Sequence, residues 1–401
     1  MRFLLYSHDG LGLGHTRRHL AIARALSEIA PSASILLTTG TDDVNRLGLP
    51  ADVEILKLPG LRKVQNGEYA SRRLRISTSE IRELRSALLV TMMKKFRPSV
   101  LLVDRHPFGA KGELRDALHE HRQRGGRAVL GFRDILDSRA AILAEWNPEN
   151  MQQQIVENYD ELLIFGSEAI LDPRTEYEFN ARMAARTSFC GYIVNKSDAP
   201  QTNNNQGHSI FQKNGKPLVL ATAGGGEDGY VLLETFLRAA ANAPWQGVIV
   251  TGPMLAEEKI DALKQSAAQA NVPIKMFVPN LSDCFDNIDA LVCMGGYNTL
   301  TEAVAKGVPT VCVPRTVPRT EQLLRAKAFE KLGLLQTVLP ENLTSENLRD
   351  AVQKSLDFSR NTLLERAAEK IEFNGAHQAA VRLVALAEKA EHFRPLPKLA
   401  A

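Results

Sequence analysis

Short apolar runs alternate along the chain with segments whose apolar residues recur every three or four positions. The runs predict buried strands, and the spaced segments predict amphipathic helices that present one face to a core. In the first half, strands are predicted at residues 2–7, 34–39, 53–58, 100–104, 127–132 and 161–165, and helices at 16–29, 79–96, 113–124 and 151–159. Strands that alternate with helices predict a parallel sheet covered on both faces.

A polar segment divides this pattern into two halves. Residues 203–207 read Asn-Asn-Asn-Gln-Gly, a composition that predicts a linker. After it, strands are predicted at residues 217–222, 247–251, 274–277, 290–293, 308–313 and 336–339, and helices at 231–241, 257–270, 321–332, 346–354, 361–371 and 376–391. Because 401 residues exceed one typical core, we expect an N-terminal domain over 1–195, a linker over 196–216 and a C-terminal domain over 217–372.

The stretch from 292 to 314 carries the strongest local pattern in the second half. An apolar strand is broken by Gly295 and Gly296, and a helix follows for which Asn298 or Thr299 is the expected N-terminal cap. Glu302 lies one turn into this helix, where its carboxylate could accept two hydrogen bonds from a ribose diol. The alternative is an ordinary strand–turn–helix unit with a solvated glutamate, since glycine turns of this kind are common.

Another glycine loop follows the first predicted strand. Gly10, Gly12 and Gly14 alternate there and lead to His15 at the start of a helix. The flexible backbone could wrap a ligand, and a neutral imidazole at this edge is a candidate general base. Dinucleotide binding would need a glycine where His15 stands. A tight turn capped by His15 is the structural alternative.

A third glycine loop, Gly224 to Gly226, precedes the first predicted helix of the second half. Three glycines before a helix can form a phosphate cradle, although no Lys-Ser or Lys-Thr pair of the kind found in nucleotide-hydrolysing loops follows these glycines. Asp228 could cap the helix, which would use the positive end of its dipole. Arg315 and Arg319 could then supply positive charge to a phosphate.

Two polar residues at the start of a later helix, Glu321 and Gln322, could read sugar hydroxyls. A capping acid beside a solvated glutamine is equally compatible with the local pattern. The sequence has no Asp-x-Asp at a strand end to hold a metal on a diphosphate, and its four cysteines lack metal-binding spacing. We therefore expect no metal and no cofactor.

The charge of the chain is uneven. Its formal net charge is only +3, but residues 62–97 hold ten lysines and arginines against three glutamates. This basic stretch, with interleaved leucines, could contact anionic lipid or hold an anionic acceptor; a solvated basic face over a core-facing stripe is the alternative. No secretion signal or run of membrane-spanning length occurs, so we expect a cytoplasmic protein, with peripheral contact to the inner face of the membrane.

Taken together and in this order, Gly14-His15, Gly224–Gly226, the Phe-Val-Pro-Asn of 277–280, Gly295–Glu302 and Glu321-Gln322 resemble the motifs of GT-B glycosyltransferases of the family 28 type. The resemblance covers nearly the whole chain and is strongest from 217 to 340. It implies an α/β fold of two Rossmann-like, doubly wound parallel-sheet domains that face a central cleft. It also implies that the helix over 376–391 packs back on the N-terminal domain.

The resemblance implies roles for individual residues in binding a UDP-sugar. Backbone at Phe277 and Val278 would read the uracil, and Glu302 would bind the ribose hydroxyls. The implied donor-binding set is Gly12, Gly14, Gly224, Gly225, Gly226, Phe277, Val278, Gly295, Gly296, Asn298, Thr299, Glu302, Arg315, Arg319, Glu321 and Gln322. The second acceptor-side loop, glycine-rich in the family, here reads Asp104-Arg-His-Pro-Phe-Gly.

The resulting hypothesis is metal-independent, inverting transfer of a sugar from a UDP-sugar to a hydroxyl acceptor, with His15 as base and Asp104 or His106 as the less favoured candidates. The acceptor is unknown, and the chemistry of the chain fits a lipid-linked or anionic one. Gly14-His15-x-x-Arg18 also resembles nucleotide-sugar hydrolases, in which water replaces the acceptor. A non-enzymatic nucleotide- or nucleic-acid-binding protein is the remaining alternative, although only Tyr69 and Phe96 could stack on bases in the basic stretch.

Overall fold

A computed structural model describes residues 1–8, 14–41, 48–63, 69–148, 150–195 and 209–392. The predicted α/β class is confirmed, because the described strands form two parallel sheets, of seven and six strands, and a separate two-stranded hairpin. The predicted linker falls largely on 196–208, outside the described residues, as do Gly10 and Gly12. The division into 1–195 and 217–372 therefore stays a proposal, although each large sheet uses only strands from one side of the linker.

The first sheet has the strand order β3-β2-β1-β6-β7-β8-β9, and all of its neighbouring strands are parallel. Its strands are β1 Arg2–Tyr6, β2 Ser34–Thr39, β3 Val53–Lys57, β6 Val100–Asp104, β7 Arg127–Arg133, β8 Glu161–Phe165 and β9 Thr187–Phe189. The helices of this part are α1 Gly14–Ile29, α2 Thr78–Phe96, α3 Arg115–Gln123, α4 Arg139–Trp146, α5 Met151–Asn158, α6 Pro173–Glu176 and α7 Ala181–Ala185. The sequence order reverses between β1 and β6, and ligands bind at such a reversal in open α/β sheets.

The second sheet has the order β12-β11-β10-β13-β14-β15, again with parallel neighbours. Its strands are β10 Leu218–Thr222, β11 Gln246–Val250, β12 Ile274–Lys275, β13 Ala290–Cys293, β14 Thr310–Cys312 and β15 Gln336–Thr337. The helices are α8 Tyr230–Ala240, α9 Glu257–Gln269, α10 Tyr297–Ala305, α11 Glu321–Lys331, α12 Ser345–Leu356 and α13 Arg360–Ala368. Here the order reverses between β10 and β13, the two strands followed by Gly224–Gly226 and Gly295–Gly296.

The last helix, α14 (Gly375–His392), packs against the first part of the chain. Its Ala379, Leu383 and Ala387 share one buried apolar cluster with Leu20 of α1. Arg382 of the same helix donates a hydrogen bond of 2.6 Å to Glu161 at the start of β8. Helix α14 therefore connects the C-terminal end of the chain to the first sheet.

Two predictions about helix caps are wrong. Helix α10 begins at Tyr297 with Gly296 as its N-cap, so neither Asn298 nor Thr299 caps it. Helix α8 begins after Gly229, and Asp228 instead pairs with Arg315, 2.9 Å away. In both cases a tertiary contact uses the polar side chain that local propensity would assign to the cap.

The basic stretch is only partly a solvated face. It contains a hairpin that the sequence pattern did not predict, β4 Leu61–Lys63 with β5 Tyr69–Ser71, followed by α2. Within α2, Arg85 is fully buried and donates to both oxygens of Glu113 at 2.6 Å. Leu89 and Met92 are also buried, whereas Leu74 before the helix is exposed. The core-facing interpretation therefore holds for one side of α2.

Candidate active site

A cleft lies where the carboxyl ends of the two sheets meet, at the strand-order reversal of each sheet. Two adjoining chambers of about 310 and 380 Å³ occupy it, a size found for small-molecule sites. Both are lined by loops after β1, β6 or β7 of the first sheet and after β10 and β13 of the second. His15, Arg133, Gly225, Met254 and Gln322 are among the residues that line both chambers.

The first chamber lies mainly against the second sheet. Val278 and Phe277, just after β12, line it together with the glycine loop and the start of α10. Its lining contains Gly14, Gly224, Gly225, Phe277, Val278, Gly296, Asn298, Thr299, Glu302 and Gln322 from the predicted donor-binding set. These residues are spread over more than 300 positions of sequence, and the fold brings them to one chamber.

Glu302 is almost completely buried at the wall of the first chamber. Its Oε1 atom accepts hydrogen bonds from Arg17 Nη2 and from Asn195 Nδ2, both at 2.9 Å. Arg17 belongs to α1 and Asn195 follows the first sheet, so this carboxylate joins the two parts of the chain. The alternative suggested by the sequence pattern, that Glu302 is a solvated residue, is therefore wrong.

The glycine loop excludes a side chain at Gly226 by close packing and disfavours one at Gly224 by its positive φ. Gly226 has φ +99°, and a Cβ there would lie 2.6 Å from the carbonyl oxygen of Thr251. Gly224 has φ +65°, and a Cβ there would lie 3.9 Å from Thr299 Oγ1 on α10. The main chain of this loop thus directly faces the chamber, a geometry that suits phosphate or sugar oxygens.

The second chamber lies beyond the glycine loop and is strongly charged. Glu321 is buried at the start of α11, and its Oε1 accepts a hydrogen bond of 3.0 Å from Arg315 Nη2. Gln322 accepts a hydrogen bond of 3.1 Å from the backbone N–H of Arg315. The titratable residues that line this chamber are His8, His15, Tyr69, Arg105, His106, Arg133, Glu227, Asp228, Arg315, Arg319 and Glu321.

His15 is backed by a buried ion pair. Its Nδ1 atom lies 2.9 Å from Asp104 Oδ1, and Asp104 accepts hydrogen bonds from Arg18 at 2.8, 3.0 and 3.2 Å. Burial tends to raise the pKa of Asp104, but the charge of Arg18 and the contact with His15 hold it well below its usual value. Asp104 is therefore an anion that can only accept, which orients the His15 ring.

Asp104 itself is fully buried behind His15 and does not line either chamber. Its low pKa and its bonds to Arg18 make it a poor proton acceptor. His106 lines the second chamber, and its ring lies 4.3 Å from the ring of His8. Burial, followed by the charges of His106 and His15, lowers the pKa of His8 well below its usual value. His8 thus lies between His106 and His15, the candidate base.

Sequence patterns did not reveal the contacts that support these groups. Arg17 and Arg18 lie two and three positions after His15, but their partners Glu302 and Asp104 are remote in sequence. Arg105 and Arg133 line the second chamber because they follow β6 and end β7. Their position after neighbouring parallel strands was the available signal, because such positions meet at one sheet edge.

Gly295 has φ +80°, and a Cβ there would lie 2.8 Å from Cys312 Sγ, which accounts for the glycine by packing alone.

Among the described residues, no group of three His, Cys, Asp or Glu side chains is placed to hold a metal ion. Within the same part of the chain, no helix is both long and apolar enough to cross a membrane.

Residues 229–383 match the model of the glycosyltransferase family 28 C-terminal domain. UDP-N-acetylglucosamine–N-acetylmuramyl-(pentapeptide) pyrophosphoryl-undecaprenol N-acetylglucosamine transferase 1 of Bacillus cereus ATCC 14579 is 28% identical over 171 residues, which are 41% of this chain and 46% of that protein. NDP-glycosyltransferase YjiC of Bacillus subtilis is 27% identical over 183 residues, 45% of this chain and 44% of that protein. The chain thus spans less than half the length of these curated relatives.

Solved structures match over almost the full chain. Glycosyltransferase VinC in complex with dTDP has a TM-score of 0.64 at 16% identity, covering 97% of this chain and 100% of its own. Acinetobacter baumannii MurG has a TM-score of 0.57 at 15% identity, covering 97% and 99%. At these identities the likeness concerns the fold. This chain therefore has the GT-B fold of glycosyltransferases, and its C-terminal part matches the family 28 C-terminal domain.

Proposed function

We propose that this protein is an inverting glycosyltransferase that moves a sugar from a nucleotide-sugar, with UDP as the favoured nucleotide, to a hydroxyl acceptor. The family match, the relatives and the GT-B fold support sugar transfer. The observation that carries the proposal is the placement of His15, which faces both chambers and is oriented by the anionic Asp104. The base thus stands between a glycine-lined chamber and a charged one.

In this proposal the donor lies mainly in the first chamber. Main chain at Phe277 and Val278 would bind the base, as the family resemblance implies. The ribose hydroxyls would donate to the second carboxylate oxygen of Glu302, or would replace Arg17 or Asn195 as donors to the first. The amides of Gly224 to Gly226 would bind the diphosphate, whose charge the adjacent end of α10 also favours. The sugar would then extend into the second chamber, toward Glu321 and Gln322.

The reaction is a single displacement that needs no metal in this proposal. His15 Nε2 takes the proton of the acceptor hydroxyl while Nδ1–H donates to Asp104. The acceptor oxygen forms a bond to the anomeric carbon, and the bond from that carbon to the phosphate oxygen breaks. The nucleoside diphosphate leaves with the bonding electrons, and main-chain amides offset its charge. Attack opposite the leaving group inverts the anomeric centre.

The test begins with a thermal-shift screen of nucleotide-sugars, because a ligand that binds only the folded state raises the melting temperature. We expect UDP-sugars to stabilise the protein, and His15→Ala to keep that shift. Turnover of the variant should fall by about two to four orders of magnitude. Unchanged turnover would remove His15 from the mechanism. Rapid release of free sugar without acceptor would instead favour a hydrolase.

We also propose that the basic stretch gives peripheral contact with an anionic membrane, where a lipid-linked acceptor would lie. Leu74 and Leu84 are 48% and 41% exposed, and arginines at 73, 75 and 82 are exposed beside them. Exposed apolar side chains among basic ones favour an anionic interface.

Sedimentation with anionic vesicles tests this contact. Binding should occur at low salt, weaken at high salt, and fall in a variant with both Leu74→Ser and Leu84→Ser. Val231→Ser, which removes an exposed side chain from α8 instead, is the matched control. An unbound protein at low salt would contradict membrane contact.

A further inference from the structure

Four arginines gather around the second chamber. Arg105 and Arg133 come from the ends of β6 and β7, and Arg315 and Arg319 come from the segment between β14 and α11. Arg105 is 8% exposed, and the side chain of Arg133 is 15% exposed. Guanidinium groups are costly to take out of water unless they meet an anion. What neutralises each of the four therefore decides what the chamber can bind.

Only Arg315 of the four has hydrogen bonds to carboxylates within the described part of the chain. Its two terminal nitrogens reach Asp228 at 2.9 Å and Glu321 at 3.0 Å. Arg133 Nη2 lies 3.9 Å from the same Glu321 oxygen, which is an ion pair without a hydrogen bond. Arg133 Nε and Arg319 Nη1 are buried and find no hydrogen-bond partner among the described residues. The carboxylate of Glu321 thus lies close to both Arg133 and Arg315.

The remaining positive charges repel one another. Burial, followed by the charge of Arg319, lowers the pKa of Arg105 to about 10. Burial, followed by the charge of Arg105, lowers the pKa of Arg133 to about 9. Both arginines still carry a proton at neutral pH. An anion placed among them would relieve the repulsion and accept charge-assisted hydrogen bonds.

This cluster overlaps only in part with the main-chain cradle of the glycine loop. Arg105 and Arg319 line only the second chamber, whereas Gly224 lines only the first, Gly225 lines both and Gly226 lines the second. The neighbours of Arg105 include His8, His15 and His106, which are on the acceptor side of the cleft in the proposed reaction. Because Arg105 follows β6 of the first sheet and the glycine loop follows β10 of the second, we expect a diphosphate at the loop to leave part of the positive charge unneutralised.

We propose that a substrate of this enzyme carries a second anionic group, a carboxylate or a phosphate monoester, which binds to Arg105, Arg133 and Arg319 in the second chamber. The inference rests on the proposed function, because that function places the sugar and the acceptor there. Two sources present the same chemistry: an acidic sugar on the donor, or an anionic acceptor. The arginines would select the charged substrate over a neutral one of the same size.

Isothermal titration with matched charged and neutral ligands tests this proposal and separates the two sources. The donor arm compares UDP-glucuronate with UDP-glucose. The acceptor arm adds glucose 6-phosphate or glucose to the protein saturated with UDP. In at least one arm the charged ligand should bind roughly ten- to a hundredfold more tightly, as hydrogen bonds to charged groups allow.

The variant Arg105→Gln should remove most of that preference and leave the affinity for UDP itself within about twofold. Arg319→Gln should also weaken the preference. Arg238→Gln on the surface of α8 is the control and should keep the preference. Equal binding of charged and neutral ligands in both arms, with UDP still bound, would overturn this inference alone. A large loss of UDP affinity in Arg105→Gln would also overturn it, because the arginine would then serve the diphosphate. A wild-type protein that binds no UDP would overturn the proposed function as well.

Discussion

Two sets of arginines in this protein differ in what neutralises them. Arg18, Arg85 and Arg325 are almost completely buried, and each donates to both oxygens of one carboxylate, from Asp104, Glu113 and Asp134 respectively. Arg105, Arg133 and Arg319 line the cleft without such a partner among the described residues. Two hydrogen bonds from one guanidinium to both oxygens of a carboxylate offset the cost of removing the guanidinium from water. The protein's own carboxylates therefore neutralise the first set, and we propose that a ligand neutralises the second.

The largest effect should follow from removing the carboxylate behind His15, the proposed base. In Asp104→Asn, Arg18 keeps its charge 2.9 Å from His15 Nδ1. It would then donate to Nδ1 and leave the ring proton on Nε2, facing the cleft. Because that nitrogen could no longer accept a proton, we expect turnover at saturating substrate to fall by about two to four orders of magnitude.

Glu113→Gln is the matched control for that experiment. It removes the carboxylate from Arg85, an equally buried arginine that contacts neither chamber. Its folded fraction should keep near-normal turnover although both variants lose stability. Equal loss of turnover in the two variants would mean that Asp104 acts on stability alone.

The next largest effect concerns the pair that joins the two sheets. Arg325 on α11 donates to Asp134 after β7 at 2.7 and 2.8 Å, and to the carbonyl oxygen of Gly295 at 3.0 Å. In Asp134→Asn the buried cation loses its counter-charge. We expect the free energy of unfolding, measured in urea, to fall by about 3–5 kcal/mol.

A double variant sharpens that result. Arg325→Met combined with Asp134→Leu removes both charges and should recover much of the loss, because an apolar pair avoids the desolvation penalty. A double variant less stable than Asp134→Asn would show that the hydrogen bonds to Gly295 and Tyr192, not the ion pair, dominate.

The buried His19 should make the stability of the protein depend on pH. Burial lowers its pKa to about 4 from an ordinary 6.5, although the charge of Asp104 opposes this. The unfolded chain therefore takes up a proton near pH 6.5, and the folded protein only near pH 4. Stability is complete above pH 6.5 and is lost as pH falls toward 4, by on the order of 3 kcal/mol for this group.

The His19→Leu variant should lack this loss. Its free energy of unfolding should therefore rise relative to wild type between pH 7 and pH 4. Replacing the exposed His119 should leave the pH dependence as it is in wild type. Parallel curves for wild type and His19→Leu would show that this ring does not titrate as described.

The smallest effect is expected in the second set of arginines. Arg319→Gln removes a partly buried charge with no carboxylate hydrogen bond and relieves its repulsion with Arg105. We expect the free energy of unfolding without ligand to change by no more than about 0.5 kcal/mol, the usual range for substitutions away from such networks. A loss of several kcal/mol would place Arg319 in the first set.

Local patterns predicted most of the secondary structure, because the strands and helices are periodic and their glycine breaks are sharp. They also marked His15, Glu302 and the glycine loop, because each lies in a short glycine-rich motif. They could not reveal that Asp104 lies under His15, since that contact depends on the pairing of β1 with β6 across nearly a hundred residues. The same holds for Arg325 and Asp134, which are 191 positions apart.

The cap predictions failed for a related reason. Asn298 was expected to bind its own backbone, but its side chain donates to the carbonyl oxygen of Gly14, 3.4 Å away across the cleft. Asp228 likewise pairs with Arg315 and not with the start of α8. At the cleft, tertiary contacts take precedence over local propensity.

The most direct measurement is a crystal structure of the protein with saturating UDP. We expect the pyrophosphate against the amides of Gly224 to Gly226, the uracil beside Phe277 and Val278, and the ribose hydroxyls on Glu302. His15 should remain between the pyrophosphate and the second chamber, in contact with Asp104. A first chamber without nucleotide, or UDP bound elsewhere on the molecule, would contradict the proposed sugar transfer.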